Sequence, residues 1–422
     1  MRSMRMRFLC ALAAAVLGVG GTLITPAAAE VTGCPDLTVS SGFGITGASI
    51  STLEQSDTYA LCEVTMSSDA IFQPAGGTPA INPVTQQIKV RIYLPKGYDP
   101  DRASGYKSLY LLHGGAGNYD SWTTSGNLVS LLASMSPQPY DGIIVMPTGG
   151  LTGWYSDWAG RTDGFFAPKW ETYHIAQLVP WIDANFDTIA DRSGRALAGL
   201  SMGGFGALKY AAAHPDVFSA VGAFSPGIEL RSGTAQHTIS DTMWQAGAAI
   251  NLIDTFNGVF KVNAYDENGI IVGDQTEQML YRMDTLFGGH TMTYDVGGNP
   301  IYDWPSANPA DFAEQGEYAP YSGKLALYAG GCAALPEDAN GDPIYGTGHN
   351  VAPDECAYST ENTDEPGLGA YTSRLDVTLT AEGVSHRYCY GTGSHDWQYW
   401  KSDLVDFLQY AYGITPVTCN NA

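Results

Sequence analysis

Three short apolar runs, at residues 109–112, 143–146 and 196–200, are bounded by glycine, proline or polar residues and show no alternation of polar and apolar side chains. Runs of this length are too short for helices, and the missing polar face marks strands buried on both sides. Between the second and third, Tyr173, Leu178, Val179, Ile182 and Phe186 fall on one face at helical spacing. Strand and helix signals in alternation predict an α/β chain, with a mostly parallel central sheet and helices on both of its faces. Just upstream, Ile88, Val90, Ile92 and Leu94 alternate with Lys89, Arg91 and Tyr93, which predicts an edge-type strand.

The rhythm is lost over residues 231–323, which are rich in Gly, Asn, Asp and Tyr and are expected to form an insertion or cap. It resumes at residues 325–328, and the chain closes with a helix whose apolar face carries Trp400, Leu404, Phe407, Leu408 and Ala411. Residues 30–87 are expected to form an N-terminal β extension, leaving 88–422 as the main domain. Residues 1–29 join Arg2, Arg5 and Arg7 to an apolar stretch that ends in Ala27, Ala28 and Ala29. That pattern reads as a secretory signal peptide and predicts a secreted protein, with the cell wall as a further location. No later run is long enough for a transmembrane segment.

Export gives the cysteines their meaning. Beyond Cys10 in the leader, Cys34, Cys62, Cys332, Cys356, Cys389 and Cys419 form an even set, so disulfides are expected. Nearness in sequence suggests Cys34 with Cys62 and Cys332 with Cys356, and no pair has metal-ligand spacing. Asp338, Asn340 and Asp342 resemble part of a calcium loop without its later glutamate, so a polar turn is expected there. The 43 acidic and 20 basic residues give a net charge of −23, which repels nucleic acid and anionic lipid headgroups. Neither a metal nor an organic cofactor is expected.

The chemistry concentrates in a few short motifs. Gly199-Leu200-Ser201-Met202-Gly203 follows a buried strand and precedes a helical stretch at 205–213. A sharp strand-to-helix turn holds such a serine exposed, and the flanking glycines remove side chains that would clash. Ser201 is therefore the candidate nucleophile, and the helix start supplies N–H groups that favour developing negative charge. His113-Gly114-Gly115-Ala116-Gly117 follows the strand ending at Leu112, where folds of this kind complete an oxyanion hole. The amides of Gly115 and Met202 are the candidate donors, since a tetrahedral intermediate concentrates charge on one oxygen.

A serine needs a base, and the chain order in such folds is serine, acid, histidine. Of eight histidines, His395 lies latest, in a loop before the closing helix. His214, next to Pro215, reads instead as a partner of a helix C-terminal dipole. His113, Trp158 and Trp397 are candidate substrate contacts, although buried packing explains the tryptophans equally well. The acid must fall between the strand at 325–328 and His395, and spacing leaves Glu337, Asp338, Asp342, Asp354, Glu355, Glu361, Asp364, Glu365, Asp376 and Glu382 open.

Residues 145–150 (VMPTGG), 154–158 (WYSDW) and 169–173 (KWETY), then Gly199 to Gly203, then His395-Asp396-Trp397 with Tyr399 and Trp400, resemble the esterase D-like hydrolases. Within that group they are closest to the secreted mycolyltransferases of the antigen 85 family, and Trp304 with Asn308 and Pro309 fits as well. The resemblance runs from about Ile88 to the C-terminus, with the insertion poorly matched. It implies the α/β-hydrolase fold and an acid in front of a helix about thirty residues before the histidine, which falls on Glu365, with Asp364, Glu361, Glu337 and Asp338 as rivals. The turn departs from the family: where the mycolyltransferases carry an acidic and a basic side chain that grip a sugar, this chain has His113 and Ala116.

The expectation is a secreted serine esterase or acyltransferase that acts on acyl esters through an acyl-serine. Two alternatives stand beside it. One is mycolyltransferase-like transfer to a sugar or glycerolipid acceptor in the cell envelope, and the other is a non-catalytic secreted binding protein.

Overall fold

A computed structural model describes residues 33–71, 88–115, 117–135, 140–150, 153–158, 168–231, 286–287, 291–294, 300–330, 367–391 and 395–413. The apolar runs are strands: β3 (Ile88–Pro95), β4 (Ser108–Leu112), β5 (Ile143–Pro147), β6 (Arg195–Leu200), β7 (Ala220–Phe224), β10 (Leu325–Gly330) and β11 (His386–Gly391). With β1 (Ile45–Gln55) and β2 (Tyr59–Ser68) they form a 9-stranded sheet in the order β1-β2-β3-β5-β4-β6-β7-β10-β11. The pairs β1·β2, β2·β3 and β3·β5 are antiparallel, and every pair from β5 to β11 is parallel. This mostly parallel sheet with an antiparallel start is the α/β-hydrolase architecture. Between β7 and β10, β8 (Thr291–Tyr294) and β9 (Pro300–Asp303) form a separate antiparallel pair.

One expectation is corrected. β3 is no edge strand but lies between β2 and β5. The charged residues that suggested an exposed face are answered by other elements. Glu63 of β2 receives Lys89 and, at 3.2 Å, Nη2 of Arg91, while Nη1 of Arg91 donates to Oγ1 of Thr123 at 2.6 Å. The edge on this side of the sheet is β1, and a Cys34–Cys62 disulfide ties the segment before it to β2. Cys389 is also disulfide-bonded, to a cysteine outside the described residues, where Cys332 and Cys356 lie as well.

Helices cover both faces because successive side chains of each strand point to opposite sides. On one face Tyr110, Val145 and Leu197 pack with α3 (Val179–Asn185), α4 (Met202–Ala213), α5 (Pro309–Glu314) and α6 (Leu368–Ala381). On the other, Leu109, Leu111, Ile144 and Ala198 pack with α1 (Ser121–Thr124), α2 (Leu128–Ala133) and α7 (Trp397–Tyr412). The amphipathic segment ahead of α3 is π-helical over Thr172–Leu178, yet Tyr173, Leu178, Val179, Ile182 and Phe186 are all buried. α7 begins where the Asp396 carboxylate accepts the Gln398 amide and ends at Gly413, in left-handed conformation at φ 70°. Among the described residues no helix is long and apolar enough to cross a membrane.

The parallel strands have one consequence for function. Their C-terminal ends share one rim, and the loops that leave it carry Gly114, Ser201, Ser225 and His395.

Candidate active site

Ser201 sits between β6 and α4 with φ 54° and ψ −120°, a conformation that costs a non-glycine residue about 1–3 kcal/mol. Its amide donates to the Phe224 carbonyl at 2.8 Å, which anchors the turn to β7. Gly203 has to be glycine because a Cβ there would come within 2.6 Å of the His113 carbonyl oxygen and 2.7 Å of that of Leu112. Met202 is the first residue of α4, so its amide stands outside the intrahelical hydrogen bonds.

The turn after β4 runs beside the serine. A Cβ on Gly114 would lie 3.3 Å from the Ser201 Cβ, and Gly115 follows, half-buried. His113 is 1% exposed: the Gly149 amide donates to its Nε2 at 2.8 Å, and its Nδ1 faces the Gly114 carbonyl at 2.8 Å. Burial lowers its pKa to about 4, so the ring is neutral with its proton on Nδ1. The Tyr155 hydroxyl donates to the His113 carbonyl at 2.8 Å. His113 therefore braces the turn from within. Behind it, His174 is held between the Tyr210 hydroxyl at 2.9 Å and the Thr148 carbonyl at 2.8 Å, and burial lowers its pKa to about 3.

His395 is exposed at the head of α7, its ring centroid 4.8 Å from that of Trp400 and nearly perpendicular to it, at 88°. The Trp400 indole donates to Oγ of Ser225 at 3.0 Å. Trp397, half-buried, stands edge-on to both Trp400 and Trp122. Trp158 is buried and donates its indole N–H to the Gly153 carbonyl at 3.1 Å. The geometry thus brings Ser201, Met202, Gly115 and His395 to one rim and sets His113 and Trp158 beneath the surface.

Glu365 lies outside the described residues, as do Glu361, Asp364, Glu337, Asp338, Asp342, Asp354 and Glu355. In sequence they fall between the end of β10 and the start of α6. Asp376 faces the opposite end of the sheet, where it meets Nε2 of His386, the first residue of β11, at 2.8 Å, and Glu382 ends α6 near there.

Sequence reasoning missed Ser225, Tyr155 and an ionic group beside α4. In that group Glu171 pairs with Lys209 of α4 and with Nε2 of His214 at 2.8 Å, so His214 meets a carboxylate beyond its helix end. Burial alone would raise the Glu171 pKa, but the His214 hydrogen bond and the Lys209 charge hold it at about 2. Only the position of Glu171 in the KWETY motif hinted at such a role. Among the described residues no group of His, Cys, Asp and Glu could hold a metal ion.

Residues 81–269 match the Esterase family. The chain is 47% identical over 145 residues to Esterase Rv1288 of Mycobacterium tuberculosis, a stretch that covers 34% of this chain and 30% of that protein. It is 34% identical over 148 residues to the diacylglycerol acyltransferase/mycolyltransferase Ag85B of Mycolicibacterium smegmatis, covering 34% of this chain and 43% of that one. The chain therefore spans less than half the length of these relatives. Among solved structures, a ferulic acid esterase aligns with a TM-score of 0.49 at 19% identity, over 79% of this chain and 96% of that one. The chain is thus similar to the Esterase family over residues 81–269 and, over about a third of its length, to members of the antigen 85 and esterase D-like group.

Proposed function

We propose that the protein is a serine carboxylic-ester hydrolase in which Ser201 forms the acyl-enzyme and His395 is the general base. The observation that carries this reading is the backbone of Ser201, held at φ 54° and ψ −120° beside the turn at Gly114. Strain of this kind at a half-buried residue between a buried strand and a helix supports a nucleophile elbow.

The steps follow from the placement. Oγ of Ser201 attacks the ester carbonyl carbon while His395 takes its proton, and the amides of Gly115 and Met202 receive the charge that forms on the carbonyl oxygen. The C–O bond then breaks, His395 returns the proton to the departing alcohol, and the acyl group stays on Ser201. Water, deprotonated by His395, attacks the acyl carbon; the bond to Oγ of Ser201 breaks, His395 returns the proton to that oxygen, and the acid leaves. Glu365, which falls in sequence between β10 and α6, is the proposed partner that orients His395. His113 keeps the oxyanion turn in shape, Trp397 lies near the base, and Trp158 is buried packing.

Transfer of the acyl group to a sugar or lipid alcohol instead of water is the second reading, favoured by the 34% identity to a mycolyltransferase. The leader pattern at 1–29 and the Cys34–Cys62 disulfide support export. The test is release of p-nitrophenol from short- and long-chain acyl esters by the mature chain, with and without added sugars, beside Ser201→Ala and Glu365→Ala. Loss of turnover in Ser201→Ala supports the acyl-serine, and an acylated sugar product supports transfer. A folded protein that neither turns over esters nor labels with a fluorophosphonate sinks the reading and leaves a binding protein.

A further inference from the structure

Nucleophile and base are far apart in sequence, and the structure contains a connection between them. Phe224 and Ser225, at the end of β7, serve both. The Phe224 carbonyl accepts the Ser201 amide at 2.8 Å, and the Ser225 hydroxyl accepts the Trp400 indole N–H at 3.0 Å. Trp400 then presents its ring at 88° to that of His395, with centroids 4.8 Å apart.

The same ring is braced from a third strand. The Trp122 indole donates to the Leu112 carbonyl at the end of β4 at 3.0 Å, Trp122 stands at 90° to Trp397, and Trp397 at 83° to Trp400. The ends of β4 and β7 and the His395 loop are thus joined through perpendicular aromatic rings, a rigid form of contact with few rotatable bonds. Ser225 is 3% exposed and has φ 44°, in the left-handed region where glycine is relaxed and serine is not. What serine adds over glycine at that point is its hydroxyl, and the hydroxyl is engaged with Trp400.

We propose that Ser225 and Trp400 are positioning residues for the base: the bond between them fixes the Trp400 indole, and the indole fixes the His395 imidazole relative to Ser201. The proposal rests on the acyl-serine reading above. Its chemical sense is that a proton moves from Ser201 to His395 only over hydrogen-bond distance, so a small rotation of the imidazole slows the reaction without weakening substrate binding.

The experiment compares wild type with Ser225→Gly, Trp400→Phe and the double variant. Ser225→Gly removes the acceptor and relaxes the backbone, and Trp400→Phe removes the donor and keeps a ring. Turnover is expressed per active site counted by end-point fluorophosphonate labelling. Each single variant is expected to lose about tenfold to a hundredfold in kcat with KM within about twofold of wild type. The double variant should be no slower than the slower single one, because both remove the same bond. Wild-type kcat per labelled site in either single variant overturns the proposal, and so do losses that multiply in the double variant. Failure of the acyl-serine reading looks different: wild type itself does not label, or Ser201→Ala keeps its turnover.

Discussion

The Gly149 amide donates to Nε2 of His113 at 2.8 Å, and that one bond leaves Nδ1 as the ring's only protonated nitrogen. A second proton would set two N–H groups against each other. Burial accordingly lowers the His113 pKa from 6.5 to about 4. The unfolded chain takes up a proton between those values that the folded protein refuses, so this residue's contribution is intact above pH 6.5 and is lost as pH falls towards 4. The loss is on the order of 3 kcal/mol. Urea unfolding at pH 7.5 and 4.5 should show a smaller stability difference in His113→Gln than in wild type, by about 2 kcal/mol. Equal differences refute this account of His113.

Gly114 lies where the turn after β4 passes Ser201, the proposed nucleophile. A Cβ there would sit 2.5 Å from Cδ1 of Leu200, a side-chain end that can move, and 3.3 Å from the Ser201 Cβ. Gly114→Ala should therefore fold, with a melting temperature within a few degrees of wild type, and yet lose about a hundredfold in ester turnover. Thermal melting beside kcat/KM checks both halves.

The group formed by Glu171, Lys209 and His214 places an ammonium against one carboxylate in a buried site, with the Lys209 side chain only 7% exposed. Glu171→Gln leaves that charge without its counter-ion and should cost about 3–5 kcal/mol in urea unfolding at pH 7. Adding Lys209→Met should restore most of the loss. Because the Glu171 pKa is held at about 2 against an ordinary 4.5, wild type loses this contribution as pH falls from 4.5 towards 2. Glu171→Gln should lack that part of the acid response.

Ser201 stores strain where the chemistry is proposed. Ser201→Gly should abolish turnover and raise stability by about 1 kcal/mol, the relief of φ 54° being partly offset by glycine's greater freedom in the unfolded chain. A calorimetric melting temperature below wild type would contradict the strain argument.

The strands at 109–112, 143–146, 196–200 and 325–328 were legible because burial on both faces leaves a local mark. The sharp turn at Ser201 was legible because strand, turn and helix adjoin in sequence. The place of β3 was misread because the partners of Lys89 and Arg91, namely Glu63 and Thr123, come from other elements. The bracing of His113 was invisible for the same reason, since Gly149 and Tyr155 reach it only through the fold. The π-helix at Thr172–Leu178 follows a wider period than the 3.6 sought, so its apolar face was found and its winding was not. Ser225 carries no motif, and its signal is a backbone angle that sequence does not display.

The hairpin of β1 and β2 bears on how these molecules stay apart. An outermost strand offers unused amides and carbonyls to any neighbour, and a long regular one invites stacking into fibrils. Along β1 the pairing with β2 slips between Thr46 and Ser49 and again between Thr52 and Glu54, which bends the strand and breaks its outer row of hydrogen-bonding groups into short pieces. The irregularity makes β1 a poor template for a second copy, which suits a chain whose large sheet would otherwise be exposed to self-association.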